Sequence, residues 1–189
     1  MLSAFPQGRL SEIVGPRSSG GSSLLLALLA RATAAGGQVA LVDGADAFDA
    51  ASAMASGVEL SRLLWVKCGG RLPSALRAAD LLARCPGFAL VVLDLDELGP
   101  VPASAYIRLQ RAVEGTPTTL IVRSERHREG TPASLVLATR RLAPQWMGLR
   151  PLTRLAGLRS EISIARSRFH AFSDGGSTGS WTLDWMLSQ

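Results

Sequence analysis

Nine residues near the start of the chain, Gly15-Pro16-Arg17-Ser18-Ser19-Gly20-Gly21-Ser22-Ser23, constrain its fold more than any other stretch. They follow a short apolar run, Leu10 to Val14, and lead into a long run dominated by Ala and Leu. A buried strand that turns through glycines straight into a helix is the reading this order requires. The spacing of Gly15, Gly20 and Ser22 fits the phosphate-cradling pattern G-x-x-x-x-G-K-[ST], but Gly21 stands where the lysine belongs. Backbone N–H groups at such a loop and helix start still face an anion. The point charge is absent. A hydrogen bond to a charged group contributes about 1.5–3 kcal/mol, so its loss weakens nucleotide binding by roughly ten- to a hundredfold or more. Gly15, Ser19, Gly20, Gly21, Ser22 and Ser23 therefore form a vestigial nucleotide site, kept for weak phosphate binding or as a tight strand–helix joint.

With 189 residues, 47% of them apolar, the chain is long enough for one domain with a full core. Aromatics are few, so that core is expected to be rich in Leu, Val and Ala. Cys68 and Cys85 stand in no metal or redox spacing and are expected as buried thiols in a reduced cytosol. The first residues lack the charged-then-apolar layout of a signal peptide, and the apolar run from Leu24 is closed early by Arg31. A cytoplasmic protein without membrane contact follows as the expectation. The net charge of +5 rests on 19 arginines and one lysine, Lys67. Ten of those arginines lie between Arg123 and Arg168, against only Glu125, Glu129 and Glu161. Such asymmetry suits a surface facing a polyanion, and it equally suits a solvated arginine-rich surface.

Apolar runs alternate with helical stretches, which predicts an α/β fold with a central, mostly parallel sheet flanked by helices. Strands are expected at Leu10–Val14, Val39–Val42, Leu63–Val66, Phe88–Leu93 and Thr118–Val122. Helices are expected over Ser22–Ala35, Ala45–Ala55, Pro73–Arg84 and Pro102–Val113. Phe88 to Leu93 is apolar throughout, the mark of a strand buried on both faces and so central. Beyond residue 133 the strands Leu135–Leu137, Glu161–Arg168 and Ser180–Met186 follow one another without helices, predicting an antiparallel end. The cluster Gly175-Gly176-Ser177-Thr178-Gly179 would join the last two as a hairpin.

Phosphoryl transfer on such a scaffold needs the loop, its lysine, a magnesium-holding carboxylate at a strand end and a group that positions water. Asp94, closing the apolar run Phe88–Leu93, is the candidate carboxylate, with the Ser22 hydroxyl beside it. Gly8-Arg9-Leu10-Ser11-Glu12-Ile13-Val14-Gly15-Pro16-Arg17-Ser18-Ser19-Gly20 resembles the opening of the bacterial RecA recombinase core, whose loop reads Gly-Pro-Glu-Ser-Ser-Gly-Lys-Thr-Thr. Leu41-Val42-Asp43-Gly44-Ala45-Asp46-Ala47-Phe48-Asp49 and Gly57-Val58-Glu59-Leu60-Ser61-Arg62-Leu63-Leu64 resemble the two RecA segments that follow, and Asp94 falls at the family's magnesium aspartate. The resemblance implies a RecA-like P-loop NTPase core as a single domain over residues 1–189. It also implies that RecA's N-terminal polymerisation element and C-terminal domain are lacking.

The departures from the family pattern shape the functional expectation. The family's catalytic glutamate corresponds to Ala45, and its phosphate-sensing Asn-Gln pair falls at Ser124-Glu125. Only 24 positions separate Asp94 from Thr118, so the DNA-binding loops are expected to be shortened. With lysine, glutamate and glutamine all replaced, the resemblance implies no ATPase activity, no catalytic residue, and ATP and magnesium binding lost or weak. It narrows to the ImuA type of RecA paralogue, accessory to damage-inducible mutagenesis. That type implies RecA and an ImuB-type Y-family polymerase relative as partners, an error-prone DnaE-type polymerase reached indirectly, and a nucleoid-associated place in the cytoplasm. A weak nucleotide-hydrolysing protein with an unconventional cation such as Arg17, and a stand-alone single-stranded-DNA-binding module, are the alternatives.

Arg123, Arg126, His127 and Arg128 follow a strand's C-terminal end, the rim where open α/β sheets place ligands. Arg123, Arg126, Arg128, Arg140 and Arg141 are the candidate DNA-binding residues, expected to act on phosphates with modest, salt-dependent affinity. Asp43, Asp46 and Asp49 are explained as complements to a helix dipole. Trp181, Leu183 and Trp185 alternate along the last strand and are expected to pack on a helix, or to serve an interface if that strand is an exposed edge.

Overall fold

The structure, a computed structural model, describes residues 4–96, 98–127, 129–148, 153–168 and 180–186. Among these residues eight strands form one sheet in the order β3-β2-β4-β5-β1-β6-β7-β8. β1 (Leu10–Val14), β2 (Gln38–Asp43), β3 (Leu63–Lys67), β4 (Phe88–Asp94) and β5 (Thr119–Ser124) are mutually parallel where they pair. α1 (Gly21–Ala34), α2 (Ala50–Ala55), α3 (Leu72–Arg84) and α4 (Ala103–Val113) lie in the connections between them. β6 (Leu135–Met147) is the junction. It runs parallel to β1 on one side and antiparallel to β7 (Arg154–Ser167) on the other, and β8 (Ser180–Met186) closes the antiparallel end.

Strand alternation divides the core into two layers. Leu10, Val91, Leu93, Val122 and Val136 pack with Ala75, Leu76, Tyr106 and Leu109 of α3 and α4. On the opposite face Ile13, Leu90, Val92, Ile121 and Leu135 pack with Leu24, Leu25, Leu28 and Leu29 of α1. β4 thus supplies alternate residues to both layers, as its unbroken apolar run requires. Each fully buried aliphatic side chain contributes about 1.5–3 kcal/mol, so α1 is held by its packed stripe more than by its caps. Its N-cap is Gly20, left-handed at φ 93°, with no side-chain cap; Gly36, at φ 83°, closes the far end on the Thr33 carbonyl.

The expected mostly parallel sheet with flanking helices and an antiparallel end is the observed architecture. Three details differ. α2 begins at Ala50, not Ala45, because Asp49 caps it through the Ser52 N–H at 2.8 Å and residues 44–49 are held as a loop. β6 and β7 run far beyond the apolar triplets that announce them, with register shifts at Arg141/Ala143 and Gln145/Trp146 that break the two-residue period. Cys68 is buried as expected but Cys85 is exposed, and both are free thiols. Of the two readings of the last strand, the exposed edge is the one observed: β8 pairs only with β7 among the described residues, and Trp181 is 44% exposed there. The side chains of Leu183 and Trp185, and the glycine cluster expected to join β7 to β8, lie outside the described residues.

Candidate nucleotide-loop site

The loop leaves β1 at Gly15, whose N–H donates to the Ser124 carbonyl at 3.3 Å. Ser19 N–H then closes a turn on the Pro16 carbonyl, and the chain passes through Ser18 and Gly20 at positive φ before α1 begins. Ser19 and Thr139 share a buried hydroxyl–hydroxyl hydrogen bond of 2.6 Å, which clips the loop to β6. Gly15 lies so close to this clip that a Cβ there would collide with Thr139 Oγ1, and would stand 2.5 Å from the Thr139 carbonyl and 2.7 Å from Ser19 Oγ. Gly15→Ala is therefore expected to cost about 1–3 kcal/mol as an overpacking change, read as a lowered urea midpoint. Gly36→Ala, where a Cβ meets nothing, shows only the smaller left-handed backbone cost.

Beyond the loop, Asp43, Asp94 and Arg123 form a row in register across the C-terminal ends of β2, β4 and β5. Arg123 is pulled inward, with only 14% of its side chain exposed. Its Nε donates to Asp94 Oδ1 at 2.7 Å and its Nη2 stands 3.3 Å from Asp96 Oδ1. The same guanidinium reaches the loop: a Cβ on Gly21 would lie 3.5 Å from Arg123 Nη1. Burial pushes the Asp94 carboxyl above the usual carboxylate range, Arg123 opposes that, and Asp96 and Asp43 reinforce it. Arg17 approaches Asp96 Oδ2 at 4.0 Å from a mostly exposed position. A magnesium nucleotide needs a free strand-end carboxylate and a cation rising from the loop. Here the Asp94 oxygen is engaged by Arg123 and residue 21 is glycine, so the donor set does not fit that group.

The acidic trio is structural, and only one member sits at a helix start. Asp43 is buried and accepts from Ala47 N–H and Phe48 N–H at 3.0 Å each and from Trp65 Nε1 at 3.1 Å. Asp46 accepts from Cys68 N–H and Gly69 N–H at 2.9 and 3.0 Å. Only Asp49 is the helix cap that a dipole complement requires. Ala45 is exposed in the turn after β2.

The candidate DNA-binding arginines do not converge. Arg123 is engaged at Asp94, while Arg126 is exposed at the rim of a cavity of about 610 Å³ lined by Asp96, Tyr106, Ser124, Glu125 and His127. Arg128 lies outside the described residues. Arg140 and Arg141 are successive on β6 and leave on opposite faces, Arg140 pairing with Glu161 at 2.7 Å. One feature of the site was missed from sequence. Glu12, fully buried on β1, is bonded to His127 Nδ1 at 2.7 Å through Oε2, while its Oε1 has no partner among the described residues. A carboxylate inside the apolar run Leu10–Val14 is the signal that it requires a partner.

A parallel sheet with a glycine loop between β1 and α1, and an aspartate at the end of β4, defines a P-loop core of the recombinase class. The model of the RecA N-terminal domain matches residues 2–102, and the chain belongs to that family. It is 38% identical over 93 residues to Protein RecA of Borrelia hermsii, covering 49% of this chain and 26% of that protein. Against Protein RecA of Picosynechococcus it is 39% identical over 94 residues, covering 50% and 27%. The matched segment thus spans about a quarter of the length of these curated relatives. In three dimensions the crystal structure of the RadB recombinase is similar with a TM-score of 0.68, at 18% identity, over 94% of this chain and 87% of that one. This last likeness concerns the fold. No helix among the described residues is long and apolar enough to cross a membrane.

Proposed function

We propose that this chain is a non-catalytic RecA-like accessory protein of the ImuA type, acting by protein contact in error-prone translesion synthesis after DNA damage. Its partners on this reading are RecA itself and an ImuB-type Y-family polymerase relative, through which a DnaE-type polymerase is reached. The observation that carries the reading is a RecA-like sheet and glycine loop in which Gly21 stands at the place of the loop lysine and Ala45 at that of the catalytic glutamate. A core kept without its chemistry is kept for its surface.

An open, apolar sheet edge supports a protein partner. β3 closes the parallel side of the sheet, and Leu64 and Trp65 on it are exposed, with Met54 of α2 also exposed. Free main-chain groups beside apolar side chains suit the addition of a strand from another protein. The mechanism is mimicry: a RecA-shaped core adds to a filament end and limits strand exchange. In excess, the protein is expected to shorten RecA filaments in electron micrographs, and Leu64→Lys is expected to blunt that effect. Filaments of unchanged length and activity would sink the mechanism.

Direct contact with single-stranded DNA is the second reading, favoured by Arg126 and Arg141, both exposed and without a carboxylate partner among the described residues. Replacing both with alanine should then reduce DNA retention at low salt and flatten its salt dependence. Retention that survives the double change would exclude these residues.

A further inference from the structure

We infer that Arg123 is the displaced cation of the nucleotide loop: a positive charge moved from the loop to the end of β5, where it holds Asp94 and Asp96 in place of lysine, metal and nucleotide. Gly21 and Arg123 are two halves of one change. The guanidinium lies 3.5 Å from where a Gly21 Cβ would begin, ordinary contact distance, so a cation side chain reaching from position 21 toward Asp94 would be brought up against Arg123. Asp94 and Asp96 both face Arg123 at the sheet's end, at 2.7 and 3.3 Å. Without a cation, two carboxylates here, each only 17% exposed, would repel each other and lack solvation. The Arg123 hydrogen bond to Asp94 and its approach to Asp96 supply the charge that magnesium and lysine supply in a working site of this type.

The functional consequence is a core already satisfied without nucleotide. Its surface is presented in one form whether or not ATP is at hand, so any partner it binds is met without a nucleotide switch on this side. This deepens the accessory reading and rests on it only for that consequence. The ion triad itself is tested on the isolated chain with no RecA present, so failure of one idea is separable from failure of the other.

The test is a double-mutant cycle with Arg123→Val and Gly21→Lys, read by urea unfolding with and without millimolar Mg·ADP. Arg123→Val alone should unfold at lower urea, because both carboxylates lose their cation. Gly21→Lys alone should also be destabilised, since its charge enters the space of a guanidinium. Together they should return close to the wild-type midpoint, and only the double variant should gain a magnesium-dependent rise on adding ADP. Singles whose losses simply add would overturn the inference, as would a neutral Arg123→Val. So would a wild-type chain that already shows the magnesium-dependent rise.

Should Arg123→Val fail to fold, Asp94→Asn in the same chain should restore folding. Failure of that rescue would also count against the inference.

Discussion

His127→Ala is expected to be among the most destabilising single changes in this protein, at about 3 kcal/mol and up to about 5. Glu12 is fully buried in β1, and His127 is its one side-chain partner among the described residues, at 2.7 Å. Removing the imidazole leaves the buried Glu12 carboxyl with neither oxygen paired among the described residues, the costly way to break a buried polar pair. The compensating change follows from the same physics. Glu12→Leu in the His127→Ala background removes the stranded polar group and should recover most of the loss, giving strong non-additivity in a double-mutant cycle. Urea unfolding with unchanged slopes is the measurement. A His127→Ala loss below about 0.5 kcal/mol, the range of an ordinary surface change, would mean that Glu12 is satisfied some other way.

Asp43→Ala carries the second large effect. One buried carboxylate accepts three hydrogen bonds, two from the backbone of residues 47 and 48 and one from the Trp65 indole on β3. A hydrogen bond to a charged group contributes about 1.5–3 kcal/mol, and the donors left behind would face a site emptied of acceptors. A total loss of about 3–4 kcal/mol is expected, allowing for overlap among bonds on one group. The effect should also be local. Residues 44–49 and the edge strand β3 share this anchor, so their amide exchange should accelerate more than that of β4 and β5. Trp65, packed edge-on to Phe48 at 5.1 Å, should report the change in its fluorescence. Uniform acceleration across the sheet would show that Asp43 is not a local anchor.

The parallel core was legible because its signals are local. The Phe88–Leu93 run can only be a strand buried on both faces, and the glycine loop between a strand and an Ala/Leu helix fixes the order of the first elements. The missing lysine was legible as a single letter, Gly21. What replaces it was not. Arg123 reads as one more basic residue at a strand's end, and its engagement depends on the Asp94–Arg123 register of β4 and β5, which no local pattern encodes. Glu12 and His127 are 115 positions apart and meet for the same reason. Asp43 and Asp46 look like a helix-start cluster until Asp43 is seen to hold the loop that postpones α2 to Ala50, and Asp46 to bind the turn after β3. The full lengths of β6 and β7 were hidden because their outer halves are exposed and their registers shift, which erases the alternation that marks a half-buried strand.

Binding of this protein to its host's RecA is the measurement that tests the central claim most directly. Biolayer interferometry with immobilised protein would compare RecA alone, RecA with single-stranded DNA, and RecA with single-stranded DNA and a non-hydrolysable ATP analogue. The accessory reading predicts binding that strengthens when the filament forms and weakens with Leu64→Lys on the β3 edge. No binding under any of these conditions would contradict it.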